Sequence, residues 1–282
     1  MIYRALVFIL ILVIATSARS EDARSEEIPP PLLTCYELIG KNEEAPSVKE
    51  SLTVLIDQTV GFQPREITEI TQHVTSWMTS GREVFIYSFS SNSGNENVIR
   101  VYAVRVNPEA DEDWKNWLKK SQRQRFEACE REQPEEARKR VKFTVGSILN
   151  GSSTSIPRSE ILNSLQLVSE GIKMGAAKRK VVFIASDMLE NSSMISFYQN
   201  RKLRKINPES IMRDVEKNKL LANFGGAEIY IYGIAYLPSS PKVTRVGPDL
   251  TRPLVEFWKN YFVRSNSSPH EFGQPALLGE VK

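Results

Sequence analysis

Two apolar, β-branched runs in this sequence stop on an acid: Leu52–Ile56 runs into Asp57, and Val181–Ala185 runs into Ser186 and Asp187. Each run has the length and composition of a buried strand. If the two strands are parallel neighbours, both carboxylates reach the same edge of the sheet, in the crevice where open α/β folds take ligands. One apolar run ending in Asp usually marks only the end of a strand, so the pairing is the functional clue. Other catalytic apparatus is missing. The sequence has no Gly-x-Ser-x-Gly elbow, no phosphate-cradling Gly-x-x-x-x-Gly-Lys loop and no His-Glu-x-x-His. Its two histidines, His73 inside a helical pattern and His270 near the C-terminus, have no motif around them. His73 reads as an ordinary helix-surface residue, and no catalytic residue is assigned.

The elements that must position Asp57 and Asp187 alternate between the two periods. A helix is expected from Pro64, a residue suited to a first turn, with Ile67, Ile70, Val74 and Trp77 on one face and a stop at Gly81. Val84–Phe89 and Val98–Val106, joined by a polar, glycine-containing stretch, read as a hairpin. Pro108–Leu149 is charged and favours helix, and Pro134 predicts two helices with a bend between them. Further helices are expected over about 157–174, 208–222 and 253–263, with a third buried strand over 228–236. Strands alternating with helices predict an α/β fold with a Rossmann-like, mainly parallel sheet flanked by helices on both faces. Phe257, Trp258, Tyr261 and Phe262 wrap one helix face and read as core rather than a ligand box. Trp114 and Trp117 fall in the charged insertion, where an exposed ring would suit a partner contact.

Several of these segments resemble the von Willebrand factor A family. That family opens with Asp-x-Ser-x-Ser after an apolar strand, and the residues here are Asp57-Gln58-Thr59-Val60-Gly61. Its Thr-x-Ile-x-x-Ala-Leu helix entry is similar to Ser159-Glu-Ile161-Leu-Asn-Ser164-Leu165, with Thr154 in Gly151-Ser-Ser-Thr154 as a fallback. Its Thr-Asp-Gly strand end is matched by Ser186-Asp187-Met188, without the glycine, and its next strand, with an Ile-Gly ending, by Ile229-Tyr-Ile-Tyr-Gly-Ile-Ala235. The resemblance covers about residues 48–265 in short motifs. It implies a protein-binding module with a metal-ion-dependent adhesion site: Asp57, Thr59, Ser159 and Asp187 around Mg²⁺, with Mn²⁺ as substitute. Mg²⁺ is a hard ion that takes oxygen ligands and keeps several waters. With few charged ligands the metal stays electrophilic, so a partner's carboxylate can fill an open position. Gly61 stands where the family offers a second hydroxyl, so one ligand is missing and must come from water. Without a metal, Asp57 and Thr59 would cap the following turn and the fold would serve as a scaffold. Haloacid-dehalogenase phosphohydrolases offer a second resemblance, with Asp57 as nucleophile, Asp187 on Mg²⁺ and Lys178 or Lys180 neutralising phosphoryl charge. Thr59 stands where that family needs an acid.

Bulk properties set the context. The 282 residues, 41% hydrophobic and 25% charged, suffice for one sizeable core. Residues 1–20 carry Arg4, an apolar run Ala5–Ala15 and a small-residue stretch, the layout of a secretory signal peptide too short to span a bilayer. Removing them takes away Arg4 and Arg19, which lowers the net charge from +3 to +1 and leaves no global attraction for nucleic acid. Among local basic clusters only Arg201, Lys202, Arg204 and Lys205 lack neighbouring acids; the others read as solvated helix faces. Residues 21–46 read as a tether, 47–265 as the domain with its charged helical insertion at 108–150, and 266–282 as a tail. Cys35 and Cys129 fit either a disulfide stapling the arm to the domain or two buried thiols. Asn150, Asn191 and Asn266 open glycosylation sequons, meaningful only in a eukaryotic secretory pathway. The resemblance is closest to small stand-alone domains behind bacterial signal peptides, which implies an exported, periplasmic or secreted protein.

Overall fold

A computed structural model describes residues 28–90, 98–152, 158–199, 202–236 and 247–281. The expected signal peptide, Thr154 and Arg201 lie outside these residues. The main sheet has six strands: β1 (Glu50–Asp57), β2 (Arg82–Phe89), β3 (Val98–Val106), β4 (Arg179–Ala185), β7 (Ala227–Tyr232) and β8 (Ser267–Phe272). Their order is β3-β2-β1-β4-β7-β8, and only β3 is antiparallel to its neighbour. The expected Rossmann-like α/β sheet is therefore the one that forms, with the hairpin β2–β3 at one side. Two further strands, β5 (Tyr198–Gln199) and β6 (Lys202–Leu203), form a separate small ladder.

Side chains alternate across the sheet as a two-residue period requires. Leu52, Val54 and Ile56 of β1 and Val181, Phe183 and Ala185 of β4 face one layer, with α2 (Pro64–Ser76) and α4 (Lys120–Asn150). Leu55, Val182 and Ile184 face the other, with α5 (Ile161–Met174), α6 (Pro208–Lys217) and α7 (Pro248–Arg264). Phe257, Trp258, Tyr261 and Phe262 are fully buried in that second layer, as core. Helices on both faces account for the nearly continuous apolar runs of β1 and β4, whose interiors are covered twice.

Four expectations are corrected. The insertion does not bend at Pro134. Its break falls at 117–119, between α3 (Glu112–Asn116) and α4, and α4 runs unbroken through the proline. Proline removes one backbone donor there, while Gln133 beside it is buried and anchored, accepting from the Asn107 amide (3.1 Å) and donating to the Leu33 carbonyl (3.3 Å). Helix α7 begins at Pro248 rather than Pro253, close enough to its start that Pro253 forgoes a single helical bond. The sheet also continues past residue 265. Ser267–Phe272 is its outer strand β8, polar and carrying Pro269, a residue confined to strand edges. Finally, His73 is half-buried, its ring 6.0 Å from that of Phe183 and 6.4 Å from that of Tyr232, rather than on an open surface.

The arm from Ile28 to Ala45 lies against α4 and β3. Cys35 and Cys129 form a disulfide, and around it Tyr36, Ile39 and Phe126 make a small core of their own. Arg140 and Tyr102 donate to the Pro30 carbonyl at 2.6 and 3.3 Å, and the Cys35 amide donates to Asn107 Oδ1 at 3.0 Å. Trp114 is engaged here too, donating to Glu44 (2.8 Å), while Trp117 is 89% exposed.

Candidate functional site

The chain passes from β1 to β2 on one side and returns to β4 on the other, so the β1/β4 junction is the point where the winding reverses. In open α/β sheets ligands bind at such junctions, beyond the carboxyl ends of the strands. Ile56 is in register with Ala185, so Asp57 and Ser186 emerge side by side. Asp57 is fully buried. Its Oδ1 accepts from the Thr59 amide (2.9 Å) and the Thr59 hydroxyl (2.6 Å), the turn geometry an Asp at a strand end favours. Its Oδ2 accepts from the Ser186 hydroxyl (2.7 Å) and the Ser159 hydroxyl (3.3 Å). Burial pushes the Asp57 carboxyl up, and these hydroxyl and amide bonds oppose the shift.

Ser159 reaches Asp57 because it stands just ahead of α5 and is bridged to Asn191, whose amide donates to the Ser159 carbonyl (2.9 Å). Asp187 follows Ser186. Its Oδ1 accepts from the Leu189 amide (2.9 Å), and its other oxygen takes no hydrogen bond among the described residues. Burial first, and the Asp57 charge second, hold the Asp187 carboxyl well above the ordinary range. Thus Thr59 and Ser159 hydrogen-bond Asp57, and the Asp57 charge acts on Asp187.

Sequence reasoning missed three residues at this place. Ser186 adds a third hydroxyl, donating to Asp57 Oδ2 and accepting from the Met188 amide (2.9 Å). Its position immediately before Asp187 was the available signal. Tyr198, in the small ladder, has its phenol pushed up by burial first and then by the charges of Asp187 and Asp57. Glu190 is buried, with Oε2 accepting from the Leu162 amide at the start of α5 (2.9 Å) and Oε1 without a hydrogen-bond partner. Burial lifts its carboxyl to about 8.

Two backbone features hold the edge together. Gly233 has φ +102°, and a Cβ there would stand 3.1 Å from both the Ser186 carbonyl and the Phe62 ring. Met188, where the resembling family has glycine, adopts φ 58° with its side chain fully buried. A non-glycine residue in this region costs about 1–3 kcal/mol and persists where surrounding packing demands it.

Among the described residues no group of three or more His, Cys, Asp or Glu side chains could hold a metal. The donor set of Asp57, Asp187 and three hydroxyls is nevertheless all oxygen, and its two carboxylates raise each other's cost of ionisation; a divalent cation relieves that cost. The residues fit a hard cation that keeps part of its water shell.

Comparisons with known proteins add little at the level of sequence. No family model and no curated protein matches the chain. Solved structures do. The pilus adhesin SpaC from Lactobacillus rhamnosus GG is 12% identical, with TM-score 0.38, over 81% of this chain and 28% of that one. An aerotolerance-related membrane protein from Bacteroides fragilis is 7% identical (TM-score 0.36; 78% and 90% covered). BatB from Bacteroides thetaiotaomicron is 9% identical (TM-score 0.35; 82% and 92%). The chain thus spans about 28% of the adhesin's length.

Other candidate features fare differently. Lys178 and Lys180 lie at the opposite edge of the sheet: seven residues of extended chain, about 23 Å, separate Lys180 from Asp187, and Lys180 donates to the Lys173 carbonyl (2.8 Å). Within the basic patch, Arg204 is committed to the Ser196 carbonyl (3.0 and 2.9 Å).

Proposed function

We propose that the protein is an exported binding module that captures a carboxylate of a protein partner through a divalent cation at the β1/β4 edge. The observation that carries this reading is the meeting of Asp57 and Asp187 with the hydroxyls of Thr59, Ser159 and Ser186. Asp57, Thr59, Ser159, Ser186 and Asp187 would hold the cation, Mg²⁺ or Mn²⁺, which when bound supplies an electrophilic position for an incoming oxygen. The chain's own part is to fix these oxygens by the Thr59 and Leu189 amides, with Asp57 fully buried and Asp187 partly open to solvent. The disulfide supports export, because such bonds persist in oxidising compartments. Against the phosphohydrolase reading, Lys180 lies at the far end of β4 and donates to the Lys173 carbonyl, and Thr59 spends its hydroxyl on Asp57.

Calorimetric titration of Mg²⁺ and Mn²⁺ into the protein and into Asp57→Asn and Asp187→Asn, beside a phosphatase assay on the same samples, tests the proposal. Saturable binding to the parent, lost in both variants and without turnover, is expected. Metal-dependent turnover abolished by Asp57→Asn would establish the phosphohydrolase instead, and no binding at all would leave a metal-free scaffold.

A further inference from the structure

A second feature lies away from the cation edge, on the layer formed by α2 and α4. The two helices run antiparallel, and a groove of about 560 Å³ follows their seam. On the α2 side it is lined by Thr68, Thr71, Gln72 and Thr75, and on the α4 side by Arg138, Lys142 and Gly146. The last three recur every four residues and so form one straight ridge, about 12 Å long at the helical rise.

Three properties distinguish this seam from an ordinary polar helix face. Its cations are available: Arg138 meets only the exposed Glu135 at 3.3 Å, and Lys142 has no ion pair or side-chain hydrogen bond among the described residues. The Thr71 hydroxyl and Gln72 amide likewise make no side-chain hydrogen bond, and no carboxylate lines the groove. Gly146 is the third. Glycine is the poorest helix former after proline, yet a Cβ at 146 would meet nothing within 4 Å, so helix packing does not require it. What the glycine provides is an open floor to the groove.

We propose that this groove binds an extended anionic polysaccharide. Its acidic groups would lie against Arg138 and Lys142, and its hydroxyls against Thr71, Gln72 and Thr75, side chains that both donate and accept. Among the described residues no aromatic ring lines the groove, which removes the stacking platform a single-stranded nucleic acid uses. Ile67 is the sole apolar side chain among them, so the groove lacks the buried apolar anchors of a peptide site.

The test is calorimetric binding of dextran sulfate, with neutral dextran and polyaspartate as comparison probes, to the whole protein and two variants. Arg138→Gln/Lys142→Gln removes the charges. Gly146→Leu fills the floor while improving helix propensity, and thermal melts confirm that both variants fold. Salt-sensitive binding of dextran sulfate, absent for neutral dextran and weakened about tenfold or more in each variant, is expected, since bonds to charged groups are the stronger class. Unchanged binding in Gly146→Leu would reassign the affinity to diffuse surface charge and overturn the proposal. Equal affinity for polyaspartate would make the partner an acidic polypeptide, and no binding of dextran sulfate would also overturn it.

Discussion

Glu190 makes the fold sensitive to pH in a direction opposite to that of an ordinary surface carboxylate. The group is buried, one oxygen caps the first turn of α5 through the Leu162 amide, and the other has no hydrogen-bond partner among the described residues. Its carboxyl rises from 4.5 to about 8 on folding. The folded state therefore holds a proton that the unfolded chain releases, and stability is greatest below pH 4.5 and declines as pH climbs through 8. Each unit is worth about 1.4 kcal/mol, so at pH 7 the loss is on the order of 3 kcal/mol. Glu190→Gln keeps the acceptor for Leu162 and cannot ionise. Relative to the parent it should gain nothing near pH 4.5 and about 3 kcal/mol at pH 7, roughly 6–12 °C in Tm for a domain of this size. The assay is a series of thermal and urea melts of both proteins from pH 4.5 to 9 with EDTA present, so that bound metal does not contribute. Asp57 and Asp187 carry shifts of the same sign, but they are common to both proteins and cancel in the difference. Parallel curves across this range would refute the reasoning and show that Glu190 is ionised without cost in the folded state.

Other perturbations have definite outcomes. Ser186→Ala leaves Asp57 Oδ2 with only the 3.3 Å bond from Ser159 and should cost about 1–3 kcal/mol in urea melts, with weaker Mg²⁺ binding in the same calorimetric titration. Gly233→Ala places a methyl group against the Ser186 carbonyl at a φ of +102°; a loss of about 2 kcal/mol or more is expected. Met188→Gly relieves an unfavourable φ but empties a fully buried site, and the cavity, at about 2–5 kcal/mol for such truncations, should dominate and lower Tm. Reduction of Cys35–Cys129, which closes 94 residues of chain, should cost up to about 4–5 kcal/mol by loop-closure entropy, read as a lower urea midpoint in reductant.

The sheet and the chemistry at its edge were legible for different reasons. β1 and β4 are buried on both faces, so their apolar runs stand out, and Asp57 and Asp187 are visible as the residues that end them. Thr59 and Ser159 are marked by local motifs. Ser186 stands inside a matched motif, but its bond to a carboxylate 129 residues away appears only in the fold, and the two-residue strand of Tyr198 has no periodicity to detect. β8 escaped because an edge strand needs one neighbour and little apolar surface, and Ser-Ser-Pro-His-Glu-Phe offers no alternation. Pro134 misled because a proline rule describes an isolated helix, whereas α4 is fixed on both sides of it by the disulfide, Gln133 and buried Ala137.

The clamped arm also determines how the molecule carries mechanical load. A pull entering at Ile28 meets the Cys35–Cys129 bond before it reaches β1, and the covalent link diverts the force into the middle of α4. The central strand, and with it Asp57, is shielded from being peeled out of the sheet. Under the proposed function, a partner held at the β1/β4 edge would be tugged against the arm while the oxygen cluster keeps its geometry.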